Sequence, residues 1–295
     1  MTEVMKKVKI WIEAMRLRTL PVSIAGVLCA FAFALMSSDI RWLPGVLCLL
    51  FAVLAQIASN FANEYYDYKS GLDKVGRVGP RRGVTEGDIT PGAMKNATFG
   101  VLAVACVIGC SLIYWGGWWL IAVGLLIAIG VLAYSTGPYP LSRHGLGEIA
   151  VVFFFGIIPV NMTYYLMCGA WSTSVVLASL AIGLLGANVL IVNNYRDMDD
   201  DREVGKRTLC VIFGRKFVSI LYLINGISAI LLTTKTWLEV DIIYMPIASV
   251  ILLFSMWKNL RRKSGSQLNP LLGETAMFMF AYTLALFAIV LIKRY

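Results

Sequence analysis

Apolar runs about as long as a bilayer is thick recur along this chain, and no other feature limits its fold as strongly. A membrane-crossing helix needs about 20 consecutive apolar residues. Runs of that kind lie near 19–36, 42–63, 96–114, 117–135, 147–168, 174–195, 209–233, 241–257 and 272–292. Nine transmembrane helices are therefore expected, in an all-α integral membrane protein that forms one domain over residues 1–295. Composition agrees: 59% of the residues are hydrophobic and 15% charged, too little charge to cover a soluble surface.

The segment before the first run, MTEVMKKVKIWIEAMRLRTLP, is basic and amphipathic, and no small-residue cleavage pattern follows it. The first span is thus expected to stay in the mature protein. Cys29, Cys48, Cys106, Cys110, Cys168 and Cys210 all lie in or at the ends of apolar runs, which suggests packing rather than a disulfide framework or a metal site. When the loops are assigned to alternate sides, 22 of the 26 lysines and arginines fall on the side of the N-terminus. The other side receives only Arg41, Lys235, Lys293 and Arg294. The positive-inside rule then places the N-terminus and the loops after spans two, four and six in the cytoplasm. That asymmetry, together with an anionic substrate, accounts for the net charge of +9 without a nucleic-acid partner.

The same side also holds most of the acids, which orientation does not require. NEYYDYKSGLD closes span two and NNYRDMDDDREVGKRT closes span six. Residues four apart share a helix face, so Asn63 and Asp67 project together, as do Asn193, Asp197 and Asp201. Ser70-Gly71 is a plausible helix stop that lets the loop bring Asp73 back toward them. Oxygen ligands without histidine or cysteine suit a hard cation, Mg²⁺ first, which commonly shares its remaining positions with substrate phosphates. Arg77, Arg81, Arg82, Arg143, Lys206 and Arg207 lie close enough in sequence to hold the outer phosphate oxygens. This is a constellation for a diphosphate leaving group, because metal and cationic side chains neutralise charge as it develops on the departing oxygens.

Solvated loop acids are the plain alternative, and Asp199 and Asp200 fit it. The shared four-residue offset, repeated at two helix ends on one side, favours a site. His144, the one histidine, gives no basis for a haem or zinc centre. A secondary transporter would place its charges near mid-membrane in broken helices, whereas these acids sit at helix ends.

These residues resemble the UbiA superfamily of intramembrane aromatic prenyltransferases, and within it the branch that takes 1,4-dihydroxy-2-naphthoate as acceptor. Asn63, Asp67 and Asp73 match its extended N-x-x-x-D motif, and Asp197 and Asp201 its D-x-x-x-D motif. WIEAMRLRTLP, GPRRGVTEGDITPGAMKNA, YSTGPYPLSRHGLGE and PVNMTYY match the branch. Leu17 departs from the usual RPRTL, and Glu64 stands where the family often has Asp, so Glu64 is not counted as a ligand.

The resemblance implies a UbiA-like bundle around a central cavity, two Mg²⁺ ions bridging a polyprenyl diphosphate, and a lateral opening to membrane lipid. Asn63 and Asp67 would serve one metal, Asp197 and Asp201 the other. Arg143, Lys206 and Arg207 would hold the diphosphate, and Tyr134 would lie near the reacting allylic carbon. Asp73, on the flexible side of its motif, is the candidate for activating the acceptor hydroxyl. The implied reaction joins a polyprenyl group to 1,4-dihydroxy-2-naphthoate with release of diphosphate and CO₂. It forms demethylmenaquinone for menaquinone biosynthesis at the bacterial inner membrane. A sister enzyme using 4-hydroxybenzoate or a porphyrin would share every metal residue.

Overall fold

The computed structural model describes residues 3–73, 81–239 and 241–294. Thirteen α-helices follow one another: α1 (Glu3–Met15), α2 (Leu20–Ala34), α3 (Trp42–Lys69), α4 (Pro91–Ser111), α5 (Ile113–Gly116), α6 (Leu120–Ala133), α7 (Gly147–Val151), α8 (Ile158–Cys168), α9 (Thr173–Arg196), α10 (Met198–Glu203), α11 (Leu209–Glu239), α12 (Tyr244–Arg262) and α13 (Asn269–Arg294). A π-helical segment, Val152–Ile157, joins α7 to α8, and α11 kinks at Gly214, where φ is 81°.

Among the described residues, seven segments are long and apolar enough to cross a membrane, where the sequence suggests nine. The fourth expected span is the 14-residue α6, shorter than a bilayer requires. The eighth is α12, whose apolar stretch is cut short by Lys258, Asn259, Arg261 and Arg262.

Helix α9 is the central post, with 72% of its apolar window buried. Ile182, Leu185 and Val189 of α9 pack with Val27 and Phe31 of α2 and with Met279 and Tyr282 of α13. Small residues permit close approach between α9 and the π segment, as is common between membrane helices. A Cβ added to Gly156 would run into the backbone of Ser179 and Gly183, and one added to Gly183 would lie 2.7 Å from the Val152 carbonyl oxygen.

The two ends of the bundle differ in charge. At one end Arg294 Nη1 donates to the Leu35 carbonyl (2.8 Å), Arg41 N donates to the Met167 carbonyl (2.8 Å) and Lys293 pairs with Asp241 (2.8 Å). At the other end, the C-termini of α3 and α9, the segment from 134 to 147 and the start of α2 converge on one polar cavity.

Candidate active site

The first wall of the cavity is a stripe along α3. Gln56, Asn60, Asn63 and Asp67 recur at helical spacing and all line it. Gln56 Nε2 donates to Asn60 Oδ1 (3.2 Å), and Asn63 Nδ2 donates to Asp67 Oδ2 (3.3 Å) and to Ser135 Oγ (3.1 Å). The helix stops as the Ser70-Gly71 pair suggests, with Gly71 at φ 66° and Leu72 N donating to the Asp67 carbonyl (2.9 Å). Asp73 is brought back, but to Arg82 rather than to the cavity: its Oδ2 lies 3.4 Å from Arg82 Nε. Arg82 then reaches inward, donating from Nη2 to Asn63 Oδ1 (2.9 Å). Asp73 therefore stands behind Arg82.

The second wall comes from the end of α9. The helix breaks at Asp197, yet Asp197 N donates to the Asn193 carbonyl (3.1 Å) and Asp201 N to the Asp197 carbonyl (2.8 Å). Asn193, Asp197 and Asp201 consequently keep a common face across the break, and all three line the cavity. Asp197 is not bare: Arg196 grips it with two donors, Nε to Oδ1 at 2.6 Å and Nη2 to Oδ2 at 2.8 Å. The same guanidinium donates to Asn193 Oδ1 (2.9 Å) and to Asn269 Oδ1 (3.0 Å), tying the start of α13 to the site. Each carboxylate oxygen carries two lone pairs, so a bidentate arginine does not exhaust the acceptor capacity of Asp197.

Lys206 crosses from the second wall to the first, donating from Nζ to Asp67 Oδ2 (3.2 Å) while remaining 3.9 Å from Asp201 Oδ1. Arg143 Nη2 donates to the Ser135 carbonyl (2.9 Å) and to Ser70 Oγ (3.2 Å), and lies 3.7 Å from Asp67 Oδ1. Arg207 contributes backbone, its N–H donating to the Arg143 carbonyl (3.0 Å), while its side chain is exposed. Tyr134 lines both the cavity and an adjoining apolar chamber. Arg77 lies outside the described residues, and Arg81 pairs with Asp88 instead of entering the site. Asp199 and Asp200 are exposed, and the hydrogen bond from Arg215 (2.8 Å) holds the Asp199 carboxyl below the usual carboxylate range.

The polar cavity has a volume of about 200 Å³. The chamber beside it, about 140 Å³, is walled by α3, α6 and α8 and by Phe154 and Phe155 of the π segment. Gln56, Ser59, Tyr134, Val151 and Phe155 belong to both linings, so the two spaces share a seam.

The donor set suits a hard cation with open coordination positions. Asp67 is 1% exposed and its Oδ1 accepts no hydrogen bond. No group of three or more histidine, cysteine, aspartate or glutamate side chains forms a metal cluster among the described residues. A cation held by one or two carboxylates from each wall would need oxygen ligands from a substrate, as Mg²⁺ commonly does.

A model of the UbiA prenyltransferase family matches residues 23–284. The chain belongs to that family. The 1,4-dihydroxy-2-naphthoate octaprenyltransferase of Escherichia coli (strain K12) is 37% identical to this UbiA-family chain over 210 residues, covering 69% of this chain and 68% of the relative. The protein of the same name from Mycobacterium tuberculosis is 31% identical over 280 residues, covering 93% and 94%. A UbiA homolog from Archaeoglobus fulgidus, solved bound to GPP and Mg²⁺, superposes with a TM-score of 0.66 at 15% identity, covering 95% of this chain and 99% of that one.

Several UbiA-site residues escape a reading of the motifs alone. Arg16 adopts φ 53° ahead of α2 and donates from Nη2 to Asn63 Oδ1 (3.1 Å), a contact across 47 residues that no local pattern announces. Arg196 hides inside the second motif, and Glu148 at the start of span five. Gln56 and Asn60 escape the motifs as well, although their helical spacing ahead of Asn63 and Asp67, within an otherwise apolar run, is a signal that marks them.

Proposed function

We propose that this UbiA-family protein transfers a polyprenyl group from polyprenyl diphosphate to 1,4-dihydroxy-2-naphthoate, releasing diphosphate and CO₂. The observation that carries the proposal is the seam: a cavity with acidic clamps and cations on facing walls opens onto an apolar chamber at Tyr134, Val151 and Phe155. One substrate with an anionic head and a hydrocarbon tail fits both spaces at once. The relatives named as 1,4-dihydroxy-2-naphthoate octaprenyltransferases support the choice of acceptor.

Asn63 and Asp67 would hold one Mg²⁺, and Asp197 and Asp201 a second. Bound there, Mg²⁺ neutralises the negative charge that builds on the departing diphosphate. Lys206 and Arg143 are placed to exchange their contacts with Asp67 for phosphate oxygens, and Arg207 to approach from the rim. Arg82, steadied from behind by Asp73, and Arg16 extend the positive wall. Tyr134 stands at the seam, where the allylic carbon would lie between the two spaces. The apolar lining excludes water that would otherwise capture the developing carbocation. The acceptor ring attacks that carbon, and loss of CO₂ restores the aromatic ring as the quinol form of demethylmenaquinone.

The protein is an integral membrane protein, and we place it in a bacterial inner membrane with the cavity facing the cytoplasm. The 22 basic residues on the side of the N-terminus support that orientation. The deciding experiment incubates the purified protein in nanodiscs with labelled polyprenyl diphosphate, Mg²⁺ and either dihydroxynaphthoate or 4-hydroxybenzoate. Labelled prenyl naphthoquinol with CO₂ release is expected. Prenylation of 4-hydroxybenzoate alone would overturn the acceptor assignment, and retention of label in the diphosphate with both acids would overturn the transferase reading.

A further inference from the structure

Four carboxylates line the polar cavity, and three of them are held by cations. Asp67 faces Lys206 (3.2 Å) and Arg143 (3.7 Å), Asp197 is gripped by Arg196 (2.6 Å) and Asp201 stands 3.9 Å from Lys206. Glu148 differs. It is 6% exposed, and among the described residues its side-chain partner is an amide: Asn194 Nδ2 donates to Oε1 at 2.9 Å. No lysine or arginine of the described chain forms an ion pair with it. Asn194 orients the carboxylate through Oε1, and a carboxylate with two lone pairs on each oxygen retains further capacity to accept.

Its position is equally distinct. Glu148 sits in the first turn of α7, next to Gly147, and a Cβ added to Gly147 would lie 3.8 Å from the Tyr134 hydroxyl. Tyr134 and Val151, one helical turn from Glu148, belong to the seam between cavity and chamber. The cationic residues that suit a diphosphate gather instead around Asp67. A group on the α7 side of the seam therefore meets the molecule that attacks the allylic carbon, not the one that leaves it.

We propose that Glu148 is the catalytic base that takes the proton from the acceptor hydroxyl. This rests on the prenyl transfer to a hydroxynaphthoate set out above. Oε2 accepts the hydroxyl proton, and the oxygen's electron pair moves into the ring. The ring carbon bearing the carboxylate bonds to the allylic carbon as the C–O bond to diphosphate breaks. CO₂ then leaves without its bonding pair, which returns through the ring to the oxygen, and the oxygen recovers the proton from Glu148. Proton and electrons balance, and no further reactant is needed.

The test compares wild type with Glu148→Gln and Glu148→Asp in nanodiscs at saturating Mg²⁺, varying each substrate in turn. A ring-fluorinated dihydroxynaphthoate, whose hydroxyl ionises more readily, serves as second acceptor. A positioned base contributes about a hundredfold or more. Glu148→Gln should lower kcat with the normal acceptor by about that factor and leave the KM for polyprenyl diphosphate unchanged. The deficit should shrink with the fluorinated acceptor, and Glu148→Asp should retain more activity than Glu148→Gln. A purely structural role would depress both acceptors equally, and that result would overturn the proposal. So would near-wild-type turnover by Glu148→Gln, or a raised KM for the diphosphate alone. If wild type prenylates 4-hydroxybenzoate instead, the naphthoate reading fails, and the same comparison on that acid with its fluorinated analogue decides the role of Glu148.

Discussion

Lys206 Nζ stands 3.2 Å from Asp67 Oδ2, a contact between residues 139 positions apart that joins the two acidic motifs across the cavity. The lysine follows one motif and neutralises the other. With a diphosphate in place, its charge is better used on phosphate oxygens, and a charge-assisted contact of that kind is worth about 1.5–3 kcal/mol. Lys206→Ala and Arg143→Ala should each lower catalytic efficiency about ten- to a hundredfold, mainly through the KM for polyprenyl diphosphate. Arg143→Lys should recover part of the loss, because a point charge does not reproduce a two-pronged guanidinium. Steady-state kinetics with each substrate varied will show it. A rise in KM for the aromatic acid alone would assign both residues to the acceptor carboxylate.

Asp67→Asn and Asp197→Asn should each reduce turnover by roughly a thousandfold, since losing a carboxylate from the proposed metal site would remove several kcal/mol of charge stabilisation. Both proteins should still insert in the membrane and elute as folded species. Near-normal rates in either would be incompatible with the proposed ligand sets.

Chelation gives an independent check. EDTA should stop transfer, and added Mg²⁺ should restore it. Activity that survives exhaustive chelation would leave the facing carboxylates without their proposed task.

Topology can be read with reporter fusions. Fusions after Arg82 and after Lys206 should report the cytoplasmic side, and one near Trp237 the opposite side. An external Arg82 fusion alongside a cytoplasmic Lys206 fusion would overturn the span count and separate the two acidic motifs.

Gly156 tests packing rather than chemistry. An alanine methyl there would collide with the Ser179 carbonyl and the Gly183 backbone, neither of which is the end of a flexible side chain. Overpacking of this kind costs about 1–3 kcal/mol. Gly156→Ala should lower the thermal unfolding temperature in detergent, whereas Gly92→Ala, with open space around the added Cβ, should leave it close to wild type.

Much of this architecture was legible because membrane helices must satisfy their own backbone and present apolar surface, so span positions are written in composition. The motif carboxylates were legible for a similar reason: Asn63 with Asp67, and Asn193 with Asp197, keep a spacing that a helix turns into a shared face. The extents of α6 and α12 were less legible: only 14 residues of the fourth apolar run wind into α6, and α12 continues past its apolar stretch into Lys258, Arg261 and Arg262. Arg16 and Glu148 were out of reach for another reason, as was the contact by which Arg82 reaches Asn63. Their roles depend on which distant elements meet, and the amide partner of Glu148 lies 46 residues away on α9.

The π segment Val152–Ile157 separates two tasks carried by one polypeptide rod, with Glu148 above it and Phe154, Phe155 and Pro159 in or below it. A wide turn holds one residue more than the α-helical turn it replaces. Removing a single residue from this stretch would restore regular winding and leave α7 and α8 close to their present phase, because the wide turn already absorbs the extra residue within one revolution. The surplus residue therefore acts as local slack: it widens the rod where Phe154 and Phe155 face the chamber, without turning its polar end against its oily end. A deletion there should pull in the oily wall of the chamber while Glu148 keeps its facing toward α9, so the grip on the hydrocarbon tail would change before the chemistry does.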